Sequence, residues 1–336
     1  MQAMTWTSHL IRGLATLALV TVAVACAPIE QSPQPVPVGF AGARLEADVL
    51  VADDGVRLPL TVWRPDGEPT AVIVALHGMN DSRVTWWMAG PWWAERGVVT
   101  YAYDQRGFGR APERGIWAGE DLLVDDLRTA VRLVRHRHPD VPIVLVGESL
   151  GSAVIIAALA SDDPPAADRA ALLAPAVWGW SAQPVPNRVS LWIAAHLFGP
   201  ASPQPPAFVT ENIYASNNLL ELYRMGRDPD MVLTTRFDAV YGLVDIMETA
   251  WRDLPQVRVP MAYFYGGRDQ LVPMPATQRA LARLPAGTRT AFYPEGRHLL
   301  VRDHAAEAVM ADVLAFVQDT GAAWPSGAGP IPVGEH

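Results

Sequence analysis

From about residue 43 onward, the hydrophobic positions follow two alternating patterns. Residues 71–76, 98–103, 141–146, 170–174, 259–265 and 290–293 are short runs, apolar almost throughout and of strand length. Between them, residues 120–137, 151–160, 275–284 and 303–317 return apolar side chains at helical spacing. Strands buried on both faces read as continuous apolar runs, so the alternation predicts an α/β class with a mostly parallel sheet flanked by helices. Upstream, residues 43–52 and 57–64 flank Asp53-Asp54-Gly55 and predict a β-hairpin. Residues 177–255 break the rhythm. They contain no convincing strand, and Pro184, Pro186, Pro200, Pro203, Pro205 and Pro206 interrupt their helix-like patches, so this interval predicts a helical cap inserted between two sheet strands.

Both ends depart from this pattern. Arg12, the apolar run 14–25 and Cys26 match the three regions of a signal peptide over residues 1–25. The run is shorter than the roughly 20 apolar residues that span a bilayer. Ala23-Val24-Ala25-Cys26 resembles a bacterial lipobox, with Ala23 where leucine is usual. That resemblance implies an exported chain, lipidated at Cys26 and anchored to the bacterial cell envelope. An ordinary secretory signal cut near Ala25 or Ala27 gives a periplasmic or secreted product instead. Pro28, Pro33, Pro35 and Pro37 make residues 26–42 a Pro-rich tether, and residues 321–336 read as a flexible Gly- and Pro-rich tail, leaving 43–320 as the folded domain.

Composition removes several function classes. The chain has 336 residues, of which 50% are hydrophobic and 18% charged, values that suit a globular chain and not a disordered one. Its net charge of −9 is spread along the sequence without a basic stripe, so no nucleic-acid partner is expected. All 26 basic residues are arginine, which excludes Schiff-base lysines, phosphate-loop lysines and Ser-Lys dyads. Cys26 is the only cysteine, so intrachain disulfides and thiol catalysis in the folded part are excluded. No histidine–carboxylate spacing resembles a metal site, and no cofactor is expected.

Residues 141–146 run directly into Gly147-Glu148-Ser149-Leu150-Gly151, and a helical segment follows. This is G-x-S-x-G in strand–turn–helix context, where the serine occupies a sharp strained turn and its neighbours must lack side chains. A serine helix cap after a glycine turn is the plainer reading of the pattern in isolation.

With His77-Gly78-Met79-Asn80 after the first buried strand and Tyr103-Asp104-Gln105-Arg106-Gly107-Phe108-Gly109 after the second, the chain resembles the α/β-hydrolase superfamily. Within it, the likeness is to the monoacylglycerol lipase and lysophospholipase-like branch, also labelled serine aminopeptidase-like, over residues 43–320. Such hydrolases order their catalytic residues as Ser, then Asp or Glu, then His. The resemblance implies Ser149 as nucleophile, Asp269 in Tyr265-Gly266-Gly267-Arg268-Asp269 as the acid, and His298 as the base. The gaps of 120 and 29 residues leave room for the cap before the acid-bearing strand. His304, the other downstream histidine, falls where the last helix begins. Backbone N–H groups of Leu150 and, by the resemblance, Met79 are the expected oxyanion donors. His77, Asp104 and Arg106 are assigned to loop organisation, His136 and His138 to a helix C-terminus, and His196 to packing in the cap.

Trp86, Trp87, Trp92 and Trp93 follow the oxyanion loop, while Trp178, Trp180 and Trp192 open the cap. They fit either an aromatic cleft for an acyl group or plain interface packing. Three readings stay open. The first is an exported serine esterase acting on a small acyl ester, such as a monoacylglycerol or lysophospholipid. The second is an aminopeptidase or amidase of the same fold, using cap carboxylates among Glu211, Glu221, Asp228, Asp230, Asp238, Asp245 and Glu248. The third is a non-catalytic envelope lipoprotein.

Overall fold

The computed structural model describes residues 27–204 and 211–333. Cys26 and the leader segment 1–25 therefore lie outside the described residues. The strands are β1 (Arg44–Leu45), β2 (Val49–Val51), β3 (Arg57–Trp63), β4 (Ala71–Leu76), β5 (Val98–Tyr103), β6 (Ile143–Glu148), β7 (Arg169–Leu173), β8 (Met261–Gly266) and β9 (Arg289–Tyr293). Among the described residues they form one sheet in the order β1-β2-β3-β5-β4-β6-β7-β8-β9. From β5 to β9 every pairing is parallel, and β1, β2 and β3 join antiparallel at one edge. The architecture is the mostly parallel α/β sheet that the alternating pattern predicts.

The helices are α1 (Ala89–Ala94), α2 (Glu120–Arg137), α3 (Leu150–Ala160), α4 (Val185–Phe198), α5 (Leu219–Met225), α6 (Phe237–Asp253), α7 (Met274–Leu281) and α8 (Ala306–Gln318). Successive strand residues point to opposite faces, which divides the core in two. Val72, Val74, Leu76 and Leu145 pack with α2, α3 and α6, while Ile73, Ala75, Val144 and Val146 pack with α1 and α8. Because both faces are covered, β4, β5 and β6 are buried at every position.

Three expectations change. The predicted strand 43–52 is two strands, because the chain turns after Glu46 and pairs Arg44 with Val51. Glu46 is held there by Arg44 and Arg57 at 2.7 and 2.6 Å. The Pro-rich segment is no free tether in its described part. Gln31 donates its N–H to Trp117 O at 2.9 Å and its side-chain amide to Ile116 O at 2.9 Å, satisfying loop carbonyls that strand pairing does not reach. The C-terminal segment also stays with the fold past Thr320. Trp324 Nε1 donates to Thr290 O at 3.0 Å, Phe292 N donates to Gly329 O at 2.9 Å, and Ile331 is only 4% exposed. This segment covers the open edge at β9, whose unpaired backbone groups need partners. Composition suggests a loose tail, and the sheet edge overrides it.

Between β7 and β8 the described chain contains α4, α5 and α6. Helix α6 belongs to the layer against the sheet as well as to the cap: Val244, Ile246, Met247 and Ala250 share the core of α3. Its apolar stripe recurs at helical spacing and has α3 beneath it.

Candidate active site

Ser149 sits between β6 and α3 with φ 54° and ψ −114°, a conformation a non-glycine residue adopts only where its surroundings enforce it. The surroundings do so through crowding. A Cβ at Gly147 would meet Ser152 N at 2.5 Å, and one at Gly151 would meet Leu76 O at 2.3 Å, so strand and helix can approach this closely only at glycine. Gly78 faces the turn from the next loop, where an added Cβ would lie 3.4 Å from Ser149 Cβ. The His77-Gly78-Met79 loop and the Ser149 turn are thus in contact. The amides of Met79 and Leu150 donate to no protein group among the described residues, as donors reserved for a ligand oxygen would.

Asp269 and His298 come together from loops after β8 and β9. His298 Nδ1 donates to Asp269 Oδ2 at 2.8 Å, while Asp269 Oδ1 accepts from Leu271 N at 2.7 Å and Val272 N at 3.0 Å. Three donors therefore fix the carboxylate. Burial alone would push the His298 pKa down, but the charge and hydrogen bond of Asp269 outweigh it and hold the imidazole above its ordinary value. His298 also lies near enough to Glu148, the residue before Ser149, for their charges to interact. Neither Ser149 Oγ nor His298 Nε2 is engaged in a protein hydrogen bond among the described residues, so the contact between them is not closed. Such contacts are often long without substrate.

The residues assigned to loop organisation have that role. His77 is fully buried, its Nε2 accepts from Gln105 N at 3.0 Å, and its Nδ1 therefore carries the proton given to Gly78 O at 2.8 Å. Burial lowers its pKa and keeps it neutral. Asp104 accepts from Arg83 N, Arg83 Nη1 and Arg110 N at 2.6 to 2.8 Å. Arg106 bridges Asp54 and Asp126. Trp86 and Trp93 are completely buried against the sheet, so this part of the first tryptophan group packs the core and lines no cleft. Trp178 and Trp180 line an apolar cavity of about 660 Å³ between α4 and α6 that also reaches Leu271, two residues after Asp269.

One cluster escaped the sequence reading. Arg302 is fully buried, and its Nη2 lies 2.7 Å from Glu148 Oε1 and 2.8 Å from Asp81 Oδ2, while Nη1 is 3.8 Å from Glu221 Oε1 on α5. It joins the serine turn, the oxyanion loop, the histidine loop and the cap through one guanidinium. Burial raises the Glu148 pKa despite Arg302, and Glu148 Oε2 and Arg302 Nε lack partners. The available signal was charge inside apolar runs: Glu148 ends an otherwise apolar strand and Arg302 follows Leu299-Leu300-Val301.

The comparisons agree with this architecture. The family described as "Serine aminopeptidase, S33" matches residues 67–305. A monoacylglycerol lipase of Mycolicibacterium smegmatis is 25% identical over 278 residues, covering 78% of this chain and 93% of that protein. The monoglyceride lipase of Rattus norvegicus is 24% identical over 74% of this chain and 82% of its own length. Among solved structures, a soluble variant of monoglyceride lipase from Saccharomyces cerevisiae superposes with a TM-score of 0.68 at 15% identity, covering 87% of this chain and 99% of that one. With a strained serine turn between β6 and α3 and a family match over more than half its length, the chain belongs to the serine aminopeptidase S33 family of α/β-hydrolases.

Proposed function

We propose that this protein is a serine hydrolase of the lipase and esterase type that cleaves carboxylic esters of monoacylglycerol or lysophospholipid kind, with Ser149, His298 and Asp269 as its catalytic residues. The observation that carries the reading is the buried His298–Asp269 hydrogen bond of 2.8 Å, with His298 near enough to Glu148, the residue before the strained Ser149, for their charges to interact. Ser149 Oγ attacks the acyl carbon as His298 Nε2 takes its proton. The oxygen that becomes negative is received by the N–H groups of Met79 and Leu150, and each such donor is typically worth about 100- to 1000-fold in rate. His298 then protonates the departing alkoxide, and a water activated by the same imidazole releases the acid from the acyl-enzyme. The apolar cavity reaching Leu271 suits an acyl chain.

The aminopeptidase reading needs a free cap carboxylate for a substrate ammonium. Most are already paired: Glu221 and Asp228 with Arg224, Asp230 with Arg110, and Asp238 with Arg236. The experiment is labelling with a fluorophosphonate, followed by parallel assays on acyl esters of graded length and on aminoacyl amides. The wild type should label and Ser149→Ala should not, with esterase turnover lost by about 10⁴-fold or more. Equal labelling of both proteins refutes the mechanism, and faster cleavage of the amides refutes the ester assignment.

For location, we propose anchoring through a lipid on Cys26. The docked Glu30 follows Cys26 by four positions, at most roughly 14 Å of chain, so the body would sit close to the membrane. Cys26→Ser should release the protein from the membrane fraction, and unchanged retention refutes the anchor.

A further inference from the structure

The cap has a second cavity, of about 510 Å³, lined by Trp180, Arg188, Val189, Trp192, Tyr241 and Asp245. Its lining contains neither Ser149, His298 nor any oxyanion-loop residue. Trp180 is shared with the apolar cavity, and the two lie on opposite sides of α4, since Arg188, Val189 and Trp192 face this one and Asn187, Leu191 and Ala194 the other. The aromatic wall is built from interlocked rings. Trp180 and Tyr241 have centroids 5.0 Å apart, His196 stacks on Trp192 at 4.1 Å, and His196 meets Tyr241 edge-on at 5.4 Å. Trp180 Nε1 donates to Asp245 Oδ1 at 2.5 Å, and His196 Nδ1 to Trp192 O at 2.8 Å, which fixes the rings from behind.

Two charged side chains, Arg188 and Asp245, line this cavity. Arg188 and Asp245 each lack an ion pair among the described residues, although most cap carboxylates have one, and they do not pair with each other. Arg188 spends only its Nε, on Gln183 O at 2.8 Å, and keeps its remaining donors. Behind Asp245 lies an acidic cleft containing Glu30 and Asp121, which makes that end more negative. One cavity thus presents an anion among aromatic rings at one place and a guanidinium at another. Aromatic rings beside a carboxylate attract alkylated ammonium ions, which shed water cheaply, and guanidinium matches phosphate.

We propose that this outer cavity, bounded by Trp180, Trp192, Tyr241, Asp245 and Arg188, binds a phosphate–alkylammonium zwitterion of the phosphocholine kind. The ammonium lies against the rings and Asp245, and the phosphate against Arg188. The ligand is a free zwitterion or the headgroup of a lipid. Binding here does not depend on turnover at Ser149, so the assignment stands or falls separately from the proposed hydrolysis.

The test is calorimetric titration of the full protein with phosphocholine, choline and inorganic phosphate, beside sedimentation with phosphatidylcholine and phosphatidylglycerol vesicles. Phosphocholine should bind more tightly than either half alone. Asp245→Asn and Arg188→Gln should each weaken it about tenfold, while turnover of a short nitrophenyl ester stays at the wild-type level, showing that both variants are folded. Retention on phosphatidylcholine vesicles, competed by phosphocholine, identifies a lipid headgroup as the source. Phosphocholine binding without vesicle retention identifies the free zwitterion. Absence of phosphocholine binding, or wild-type affinity in both variants, overturns the proposal.

Discussion

Replacing Arg302 with methionine keeps a long flexible side chain but removes the cation among three carboxylates. At an effective dielectric near 20, a contact of 2.7 Å is worth roughly 6 kcal/mol before desolvation is subtracted. Burying the ions offsets much of that, and breaking a buried pair from one side typically costs about 3 to 5 kcal/mol because the opposite charge is stranded. Arg302 is completely buried and holds Glu148 and Asp81 at once, so the upper part of that range is expected. That is a large share of the roughly 5 to 15 kcal/mol that holds a typical protein folded.

The sign of its pH dependence follows from linkage. Without the cation, burial raises the pKa values of Asp81 and Glu148 above their unfolded values, so the native variant binds more protons than its unfolded chain. Its stability then falls as pH rises, and the gap from wild type should be widest at pH 7 and narrower at pH 5. Urea denaturation of Arg302→Met and the double variant Arg302→Met with Glu148→Gln measures both effects. The second change should recover part of the loss, since it removes one stranded charge. A loss under about 1 kcal/mol, or a gap that widens on acidification, would refute this account of the cluster. Because Asp81 follows Met79 by two residues and Glu148 precedes Ser149, folded variant should also lose kcat, by about 100-fold for a displacement near 1 Å, with less change in KM.

Two further outcomes are expected. His298 must be neutral to accept a proton and its pKa lies above the ordinary 6.5, so kcat/KM should fall on acidification with a midpoint above that value. In Asp269→Asn the residual activity should show that midpoint at lower pH, because the group raising it is gone; an unmoved midpoint assigns the titration elsewhere. Ending the chain after Thr320 removes Trp324 and the buried Ile331 and should cost about 3 kcal/mol by urea denaturation, whereas an unchanged midpoint would show that the segment adds nothing.

The parallel strands were legible because each is buried on both faces, which makes β4 wholly apolar and β5 apolar but for Thr100, and marks both ends sharply. The predicted helix 120–137 matches α2 for a related reason: its buried positions recur along one face from Leu123 to Val134. The terminal segments were misread because composition reports the ability to build a core and says nothing about docking on one. Residues 28–38 and 321–333 supply few apolar side chains, yet both meet unpaired backbone groups that β-strands leave open, at the loop after β5 and at the β9 edge.

The site divides along the same line. Ser149 was named from the glycines that its turn requires, and Asp269 and His298 from the family resemblance of the segments that became the loops after β8 and β9. Local signatures cannot reveal Arg302, since its partners stand 221, 154 and 81 positions away and meet it only when four separate segments are packed. The same holds for Asp245: Glu221, Asp228, Asp230 and Asp238 are matched with arginines, and of the remaining cap carboxylates Asp245 is the one that lines the aromatic cavity. In a chain whose cations are all arginine, partners that form forked bonds and never lose charge, a carboxylate left unmatched beside aromatic rings carries more information than those already paired. The paired ones are explained by the fold, and the one that lines an aromatic cavity calls for a ligand.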